Sequence, residues 1–518
     1  QINIEAGVFK VPELVFGNKQ VCKPNTGEID FHKYSPFEEK ELKPFFFFYG
    51  FEDKDGNDNR LIEGFLKNLS KAAAELKINI KDFKYSNIKL ISSYDSRANR
   101  FFDDFYEQLI IEKNHKTYNL YVLIMKTKHD SKIYSYNKNA FLSRKEIYKR
   151  AANQCLILEK FDSTLFKGYR GGGGGGGGSN LSTYTNILFQ ILIKLENIVY
   201  RIDYKKFLGE EMYKELRRNK VLLCSYVVGE AGSDNYNQNN SNKESRQLST
   251  FIADLAFSKS ADSKVYLNRF SNNHNKIFAG LKPCIESSLE EFSKLHSDID
   301  ESNTKEIGMG GPTVFPKFLI LFREYNQNLE KVITGEIDEI LGDLPGDILV
   351  YVVFVNKRGG LRLYDDNNSS KVVNIPNPSG LNETGLEVLV SEVDSGVPRR
   401  NPIHNAELGT VVDTLLVKNT QRIREFYLVS TFNDRQTVSP TQYTVYCYRK
   451  TLSKEDNDNV LNLIKSLCFC QAFNGQNSFK SLKIPALLHY AFRMNSFILK
   501  HIAREENIPE KITSNFAL

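Results

Sequence analysis

The stretch that decides the fold is "YNLYVLIMK" at residues 118–126, a mostly apolar run with no charge before its last position. A helical pattern, "ANRFFDDFYEQLIIEKN", leads into it, and "SRKEIYKRAANQCLIL" follows as a helix and a second strand. Upstream, the aromatic strand "KPFFFFYGF" (43–51) precedes the helical "NRLIEGFLKNLSKAAAELKI" (59–78). Apolar strands that alternate with helices are typical of a parallel sheet buried on both faces. The first part of the chain is therefore predicted to be an α/β domain.

The second part repeats this alternation on a larger scale. Long apolar strands are predicted at "NKVLLCSYVVGEAG" (219–232), "STFIADLAFS", "PKFLILFRE" and "DILVYVVFVNK". Helices are predicted at 280–295, at 328–341 and in the last sixty or so residues. "REFYLVSTFNDRQTVSPTQY" (424–443) has the pattern of a strand, a polar turn and another strand. We therefore expect a second α/β domain.

Composition limits the class of protein. Of the 518 residues, 41% are hydrophobic and 25% are charged, as in ordinary soluble globular proteins. The net charge of +6 and the isoelectric point near 8.6 allow a polyanionic partner without requiring one. The seven cysteines lack zinc-finger or disulfide spacing, which favours reduced thiols and a cytoplasmic or nuclear protein. No apolar run has the length that a bilayer requires, so no membrane partner is expected.

Three polar or glycine-rich segments interrupt the pattern. "GGGGGGGG" (171–178) resembles an engineered linker in place of a flexible loop, and it lacks the Lys and Ser/Thr of a phosphate-binding loop. The Asn-rich residues 232–247 and the segment "DSGVPRRNPIHNAE" (394–407) are expected to be loops. The opening "QINIEAG" has no initiator Met, which leads us to expect a fragment of a longer protein.

Several motifs together resemble the MID and PIWI lobe of the Argonaute/Piwi family. "GTVVDTLLVKNTQRIREFYLVS" and "PTQYTVYCYRK" (409–450) are similar to its G-T-V-V-D, F-Y-L-x-S and P-T-x-Y signatures, and "KSLKIPALLHYA" (480–491) to its I-P-A-x-x-x-Y-A stretch. "FPKFLILFREYNQNLEKVITGEIDEI" resembles its Y-R-D-G-V strand and the following helix. "VFKVPELVFGN" (8–18) resembles the linker that enters the MID domain, and "ANQCLIL" with "TNILFQILIKLEN" resembles the MID-to-PIWI junction. The motifs occur in family order over nearly the whole chain.

This resemblance implies an α/β fold class, with a Rossmann-like MID domain followed by an RNase H-like PIWI domain. The expected divisions are 1–40 for the linker that enters the MID domain, 41–200 for the MID domain and 201–518 for the PIWI domain. The resemblance also implies a small-RNA-guided RNA-binding protein that acts in RNA interference and gene silencing. Such a protein holds a small guide RNA by its 5′ phosphate at the MID/PIWI junction, binds complementary target RNA and recruits silencing effector proteins.

The same resemblance assigns a pocket for the guide 5′ phosphate. "YSYNK" supplies Tyr134 and Lys138, "NQC" supplies Gln154, "LIKLEN" supplies Lys194, and Lys480 is a further contact from the PIWI side. A tyrosine face can stack on the first base while ammonium groups and an amide bind the phosphate. The alternative is that Tyr134 and Lys138 are surface residues of a loop. No catalytic cofactor is expected, and a Mg²⁺ ion is allowed at the guide 5′ phosphate.

The family's slicing centre is degenerate in this sequence. Slicing members cut RNA with two Mg²⁺ ions, which are held by carboxylates and a fourth His or Asp. The four matching positions hold Ala231, Ser258 (or Lys259), Glu324 and Thr431, so one acid of four remains. We therefore expect no catalytic or metal-binding residues and a catalytically inactive protein that silences by binding its target.

Two alternative functions stay open at this point. A divergent slicer endoribonuclease would use Glu324 with Asp234 or Asp254 and would cleave a matched target in Mg²⁺. A guide-free scaffold would resemble the MID–PIWI-like module of a Mediator subunit. Such a scaffold has no reason to retain Gln154 and Lys194.

A basic strand end supplies the last candidate residues. "NKRGGLRLY" places Lys357, Arg358 and Arg362 close together, and it resembles a basic strand end of the family that contacts nucleic-acid backbone. The alternative is a solvated hairpin whose charges have no binding role.

Overall fold

The computed structural model describes many separate parts of the chain. These are residues 2–24, 28–29, 33–38, 41–49, 57–80, 84–88, 107, 109–110, 118, 120–126, 155–161, 181–194, 197–219, 221–228, 248–254, 264–269, positions between 282 and 293, 315–325, 329–342, 344–345, 347–357, 361–365, 381–392, 404–413, 420, 422–431, 439–448, 454–475, 480–497 and 511–512.

The strands, in chain order, are β1 (Ile2–Phe9), β2 (Leu14–Val15), β3 (Val21–Cys22), β4 (Pro44–Tyr49), β5 (Lys84–Ile88), β6 (Leu120–Lys126), β7 (Cys155–Phe161), β8 (Arg201–Ile202), β9 (Val221–Val228), β10 (Leu248–Asp254), β11 (Lys264–Arg269), β12 (Phe318–Glu324), β13 (Leu349–Asn356), β14 (Leu361–Asp365), β15 (Leu381–Glu392), β16 (His404–Asn405), β17 (Thr410–Val412), β18 (Ile423–Leu428), β19 (Thr441–Cys447) and β20 (Lys511–Ile512).

The helices are α1 (Asn57–Glu75), α2 (Leu181–Lys194), α3 (Tyr204–Leu208), α4 (Glu210–Asn219), α5, α6 (Lys454–Ala472) and α7 (Ala486–Phe497). Helix α5 is a continuous run of Leu329–Lys331, a π-helical Val332–Ile337 and Asp338–Leu341. A 3₁₀ turn covers Gly17–Lys19. Among the described helices, none combines the length and the apolar character needed to cross a membrane.

The first sheet has four strands in the order β5, β4, β6, β7, and every neighbouring pair is parallel. In β4, all four phenylalanines are buried, because Phe46 and Phe48 face α1 while Phe45 and Phe47 lie on the opposite side. The ring of Phe65 in α1 packs edge-on against both Phe46 and Phe48. The predicted parallel sheet, buried on both faces, is confirmed.

The second sheet is mixed and has thirteen strands, in the order β16-β14-β15-β1-β17-β18-β19-β13-β12-β9-β10-β11-β20. Its centre is the parallel trio β9, β12 and β13, and β19 then pairs antiparallel with β13. Strands β18 and β19 form the antiparallel pair predicted for 424–443. The predicted second α/β domain is therefore confirmed.

Two segments that the sequence did not predict to be strands pair within the large sheet. Strand β1, in the segment expected to be a linker, lies between β15 and β17 and pairs antiparallel with both. Strand β16 lies in the predicted loop 394–407 and pairs with Tyr364 and Asp365 of β14. The loop prediction is thus wrong at His404–Asn405, because distant pairing overrides the polar local sequence. The segments 171–178 and 232–247 lie outside the described residues.

The large sheet is covered on both faces. Along β12, Leu319 and Leu321 point to one face, while Ile320 and Phe322 point to the other. The first face packs against α5 and the helical residues between 282 and 293, and the second packs against α6 and α7. The apolar side chains on the second face continue through Phe16 to β4 and β6, so the two sheets share one apolar core.

Candidate nucleic-acid interface

Several strands of the large sheet end at the same edge. Strands β9, β12 and β13 are parallel, and β18 runs in their direction because β19 is antiparallel to both β13 and β18. Glu324 is the last residue of β12, Lys357 follows the last residue of β13, and Thr431 follows β18 closely. Ligands in open α/β sheets favour the carboxyl ends of parallel strands. This edge is therefore where a functional site is expected.

Lys483, just before α7, is fixed against this edge by its own backbone. The hydroxyls of Ser430 and Thr441 both donate to the Lys483 carbonyl, over 2.8 Å and 2.7 Å. Ser430 lies just beyond β18, and Thr441 begins β19. The start of α7 is thus joined to the ends of two neighbouring strands.

The side chain of Lys483 lies near another cation. Its ammonium group donates to the Ser439 hydroxyl over 3.0 Å. Partial burial lowers the pKa of Lys483, and the guanidinium of Arg362, at the start of β14, lowers it further. No described carboxylate is among the groups that shift this pKa. Two like charges held together in this way produce a positive potential, which a bound anion would relieve.

A second group of cations surrounds the first turns of α7. The ammonium of Lys357 lies 3.3 Å from the centre of the Phe492 ring, a cation–π contact. His489 and Arg493 are four residues apart on α7 and therefore share a face of the helix. Burial lowers the pKa of His489 to about 4, with further lowering from Arg493 and Lys357. The imidazole is thus neutral at pH 7.

We call these residues the cation surface: the cations Lys357, Arg362, Lys483 and Arg493, together with the neutral His489. Lys357 and Arg362 are joined by the short connection from β13 to β14, and Lys483 leads into the helix that carries the other two. Clusters of cations attract polyanions such as nucleic-acid backbones. The predicted backbone residues Lys357 and Arg362 lie on this surface, and Arg358 lies outside the described residues.

Three of these five residues were missed by sequence reasoning. The positions of His489 and Arg493, four apart in "LLHYAFR", are a signal that helical spacing alone could have found. Lys483 gave no such signal, because its role depends on contacts with Ser439 and Arg362, which are distant in the sequence.

Glu324 stands among apolar neighbours at this edge. Its register partner on β13 is Val355, and on β9 the residue after the Arg323–Tyr226 pair is Val227. Both valines are buried, and the backbone carbonyl of Glu324 accepts a hydrogen bond from Arg323 Nη1 over 2.9 Å. Within the described part of the chain, no three His, Cys, Asp or Glu side chains are grouped as metal ligands.

At the level of Glu324 the described residues of the adjoining strands are Val355 and Val227, and neither side chain is a Mg²⁺ ligand. Thr431 is half-buried beside Ser430. Ala231 and Ser258, with Asp234, lie outside the described residues, as does the side chain of Asp254. The loss of slicing stays a prediction.

The predicted 5′-phosphate pocket is described only in part. Tyr134, Lys138 and Gln154 lie outside the described residues, with Gln154 directly before β7. Lys194 is the last residue of α2, and its side chain is not described. The ammonium of Lys480 pairs with the Glu28 carboxylate over 2.7 Å, and both side chains are exposed. The pocket assignments therefore stay predictions.

Comparison with known proteins gives the identity of the fold. A model of the Piwi domain family matches residues 312–503, the range that holds the whole cation surface, Glu324 and Thr431. No curated protein matches the chain by sequence. Among solved structures, Drosophila Piwi is similar at 15% identity with a TM-score of 0.62, covering 99% of this chain and 56% of Piwi.

Two yeast structures are similar to the same extent. The C-terminal lobe of a budding yeast Argonaute has 11% identity and a TM-score of 0.64, covering 99% of this chain and 96% of that lobe. Kluyveromyces polysporus Argonaute with a guide RNA has 11% identity and a TM-score of 0.60, covering 99% of this chain and 53% of that protein. This chain thus spans about half the length of the Drosophila Piwi chain and of the Kluyveromyces polysporus Argonaute chain.

Both halves of the fold prediction agree with these findings: an α/β first domain with a parallel sheet, and an RNase H-like second domain. The chain therefore carries a Piwi domain at residues 312–503 and, over nearly its whole length, has the fold of the MID–PIWI lobe of Argonaute/Piwi proteins.

Proposed function

We propose that the chain is a guide-dependent RNA-binding protein whose cation surface holds the phosphate backbone of a short single-stranded RNA. The observation that carries this proposal is the cation surface itself, at the carboxyl edge of the parallel strands and inside the Piwi domain. Base pairing between the guide and a complementary target RNA would supply specificity, as it does wherever recognition is delegated to a guide strand. Silencing would follow from target binding and recruited effector proteins.

Electrostatics supports this use of the surface. The ammonium groups of Lys357 and Lys483 are held in place, by the Phe492 ring and by Ser439, before any ligand arrives. Preorganised cations lose little side-chain freedom when a phosphate binds. Each phosphate contact releases condensed counterions, so binding should weaken steeply with salt. The similar Kluyveromyces polysporus structure contains a guide RNA, which fits the same reading.

We propose further that the guide 5′ phosphate is held at the junction of the two domains by Tyr134, Lys138, Gln154, Lys194 and Lys480. Lys480 would exchange its partner Glu28 for the phosphate. That exchange is inexpensive, because exposed ion pairs contribute only about 0–1 kcal/mol. A Mg²⁺ ion at the 5′ phosphate belongs to the same proposal.

The protein is proposed to bind targets without cutting them. Two-metal cleavage requires several hard oxygen ligands at adjoining strand ends. At the level of Glu324 the adjoining strands present Val355 and Val227. The apolar neighbours argue against a pair of metal ions at this edge.

The test is the binding of a short single-stranded RNA with a 5′ phosphate, a 5′ triphosphate or a 5′ hydroxyl, measured by fluorescence anisotropy. The double variant Lys357→Ala/Lys483→Ala should weaken binding of all three RNAs. The double variant Gln154→Ala/Lys194→Ala should remove the preference for a phosphorylated end.

Lys214→Ala is the matched control, because Lys214 is an exposed lysine that pairs with Glu210 and Glu211 on α4 and is not a member of the cation surface. It should leave binding unchanged. A contrary result would be weak and equal binding of all three RNAs, reduced by Lys214→Ala as much as by Lys357→Ala/Lys483→Ala. That result would indicate diffuse charge attraction and a guide-free scaffold.

A further inference from the structure

A shallow pocket lies where helix α6 crosses the first residues of β13 and β18 and the last residues of β19. Its position along β13 is marked by Tyr351, which precedes Lys357 of the cation surface by six residues. At about 3.3 Å per residue, six residues of strand span roughly 20 Å. The pocket is therefore at the amino edge of the parallel strands, opposite the edge assigned to RNA.

The floor of the pocket is mostly apolar. Strand β19 contributes Val445 and Cys447, helix α6 contributes Leu461 and Ile464, and the nearly buried Tyr351 comes from β13. Tyr351 and Cys447 are register partners on neighbouring strands. The floor therefore belongs to the sheet and to the helix that packs on it, and it is formed before any ligand binds.

Two arginines, Arg422 and Arg424, complete the lining. Arg424 alternates along β18 with Phe426 and Leu428, which are buried in the core on the α6 side, so the arginine points to that side too. Arg422 is two residues earlier, and its carbonyl accepts a hydrogen bond from the Cys447 backbone N–H over 3.0 Å. The backbone thus places both guanidinium groups at the mouth of the pocket.

Both guanidinium groups are accessible to a ligand. The Arg422 side chain is exposed, and that of Arg424 is half-buried. Among the described residues, neither arginine forms an ion pair with a carboxylate, and this includes the exposed Asp458, one turn before Leu461 on α6. Two unneutralised cations beside an apolar floor favour a ligand that is both acidic and apolar.

The size of the pocket limits the ligand further. Its volume is about 280 Å³ even when the open mouth is counted, which is below the roughly 300–1,000 Å³ of sites that enclose a small molecule. A single large side chain fits such a space better. Single-stranded nucleic acid binds on exposed aromatic faces, whereas Tyr351 is only 3% exposed. The lining therefore favours a peptide.

We propose that this pocket is a docking site for a short acidic segment of a partner protein. One leucine-sized side chain of the segment packs on Leu461 and Ile464, and Asp or Glu residues beside it accept hydrogen bonds from Arg422 and Arg424. Guanidinium groups bind carboxylates in pairs of parallel hydrogen bonds, which gives both affinity and orientation. The site does not depend on RNA binding, because the two edges of the sheet are far enough apart to be occupied together.

The experiment measures binding of a short fluorescent peptide to the whole chain by anisotropy, at 0.15 M salt. The peptide carries a central leucine between two pairs of aspartates. One control peptide has asparagine in place of each aspartate, and another has alanine in place of the leucine. Each control should bind at least about 10-fold more weakly, since one loses charge-assisted hydrogen bonds and the other loses apolar burial.

Protein variants locate the peptide. Arg422→Gln/Arg424→Gln should weaken binding by at least about 10-fold, whereas Arg60→Gln, at an exposed arginine of α1, should leave it unchanged. Leu461→Ala should weaken binding of the leucine peptide and not that of the alanine peptide. Circular dichroism checks that each variant is folded, and the two control peptides test the proposal on the unaltered chain.

Three results would overturn the proposal. The first is no binding of the leucine peptide at millimolar concentration, and the second is binding that Arg60→Gln weakens as much as Arg422→Gln/Arg424→Gln. The third is displacement of the peptide by single-stranded RNA together with loss of RNA binding in Arg422→Gln/Arg424→Gln, which would make the pocket a nucleic-acid site. Retention of RNA binding by that variant leaves the proposed function in place, whichever way the peptide result falls.

Discussion

Arg323 and Glu336 form a buried ion pair that joins the carboxyl end of β12 to the π-helical turn of α5. Arg323 Nε lies 2.7 Å from Glu336 Oε1, and each side chain is only 7% exposed. The Tyr226 hydroxyl donates to the same carboxylate oxygen over 2.5 Å, and Arg323 Nη1 reaches the Glu324 carbonyl. Burial and the neighbouring Glu336 raise the pKa of Tyr226, which therefore stays a donor. The network fixes the position at which β12 ends.

Breaking this pair on one side should destabilise the protein strongly. Arg323→Met leaves Glu336 buried with its Tyr226 hydrogen bond alone, and uncompensated buried charges cost about 3–5 kcal/mol. Replacing both partners, as in Arg323→Met/Glu336→Leu, should recover most of the loss. The measurement is the midpoint of urea unfolding, and equal midpoints for the single and double variants would contradict the expected coupling.

Gly409 is predicted to tolerate no side chain. Its φ of +93° disfavours other residues, and an added Cβ would lie 2.4 Å from the Phe9 carbonyl oxygen. Gly409→Ala should lower the free energy of unfolding by about 1–3 kcal/mol through backbone strain. Gly64→Ala is the matched control, since Gly64 lies in α1 with open space around it and should stabilise by about 0.5–1 kcal/mol. The measurement is the melting temperature of each variant. Similar melting temperatures for Gly409→Ala and Gly64→Ala would contradict the strain predicted at Gly409.

The salt dependence of RNA binding should report the phosphate contact of Lys483. Lys483→Ala should weaken binding and reduce the slope of log K against log[salt] by about 0.7. Arg362→Ala should act similarly, while Lys214→Ala should leave the slope unchanged. An unchanged slope with weaker binding would mean that Lys483 acts through the hydrogen bond to Ser439 alone.

The protein without RNA should lose stability as the pH falls from about 6.5 to 4. Because the pKa of His489 is about 4 in the folded state and about 6.5 when unfolded, the unfolded chain binds more protons in this window. The free energy of unfolding therefore rises with pH there, by about 2 kcal/mol after allowance for partial exposure. Urea unfolding of the unaltered chain and of His489→Gln at pH 4.5 and 7 isolates this contribution, which the variant should lack.

Incubation with a guide and a fully matched target in Mg²⁺ should leave the target intact. The reason is the apolar surroundings of Glu324. Gel electrophoresis of labelled target, with Glu324→Ala as the companion variant, makes the comparison. Cleavage at one position that Glu324→Ala abolishes would establish the divergent slicer instead.

The elements that sequence reasoning predicted are those whose signal is local. The four phenylalanines of β4 and the apolar runs of β12 and β13 need cover on both faces wherever they lie, so their strand state follows from composition. The π-helical turn of α5 had no such signal, because it is associated with the buried pair of Arg323 and Glu336, which only tertiary packing brings together.

The candidate site was predictable to a smaller extent for the same reason. Lys357 and Arg362 are close in sequence and could be found together. Lys483 is distant in sequence, and its backbone is positioned by hydrogen bonds from Ser430 and Thr441, at the ends of two strands, to its carbonyl. Motif matching placed Ala231 at the first acid position, which lies outside the described residues, and the strand register shows Val227 beside Glu324. Register depends on pairing between distant strands, which no local pattern specifies.

The position of β1 has a consequence for how the protein is made. Gly7 and Val8 pair with Val411 and Thr410, so this strand emerges from the ribosome about 400 residues before its neighbour β17. At about 5–20 residues per second, an apolar strand then waits roughly 20–80 seconds for its partners, with an unpaired edge on each side. Assembly of the large sheet is therefore expected to be slow and largely post-translational, and the nascent chain should depend on chaperones that cover β1 in the interval.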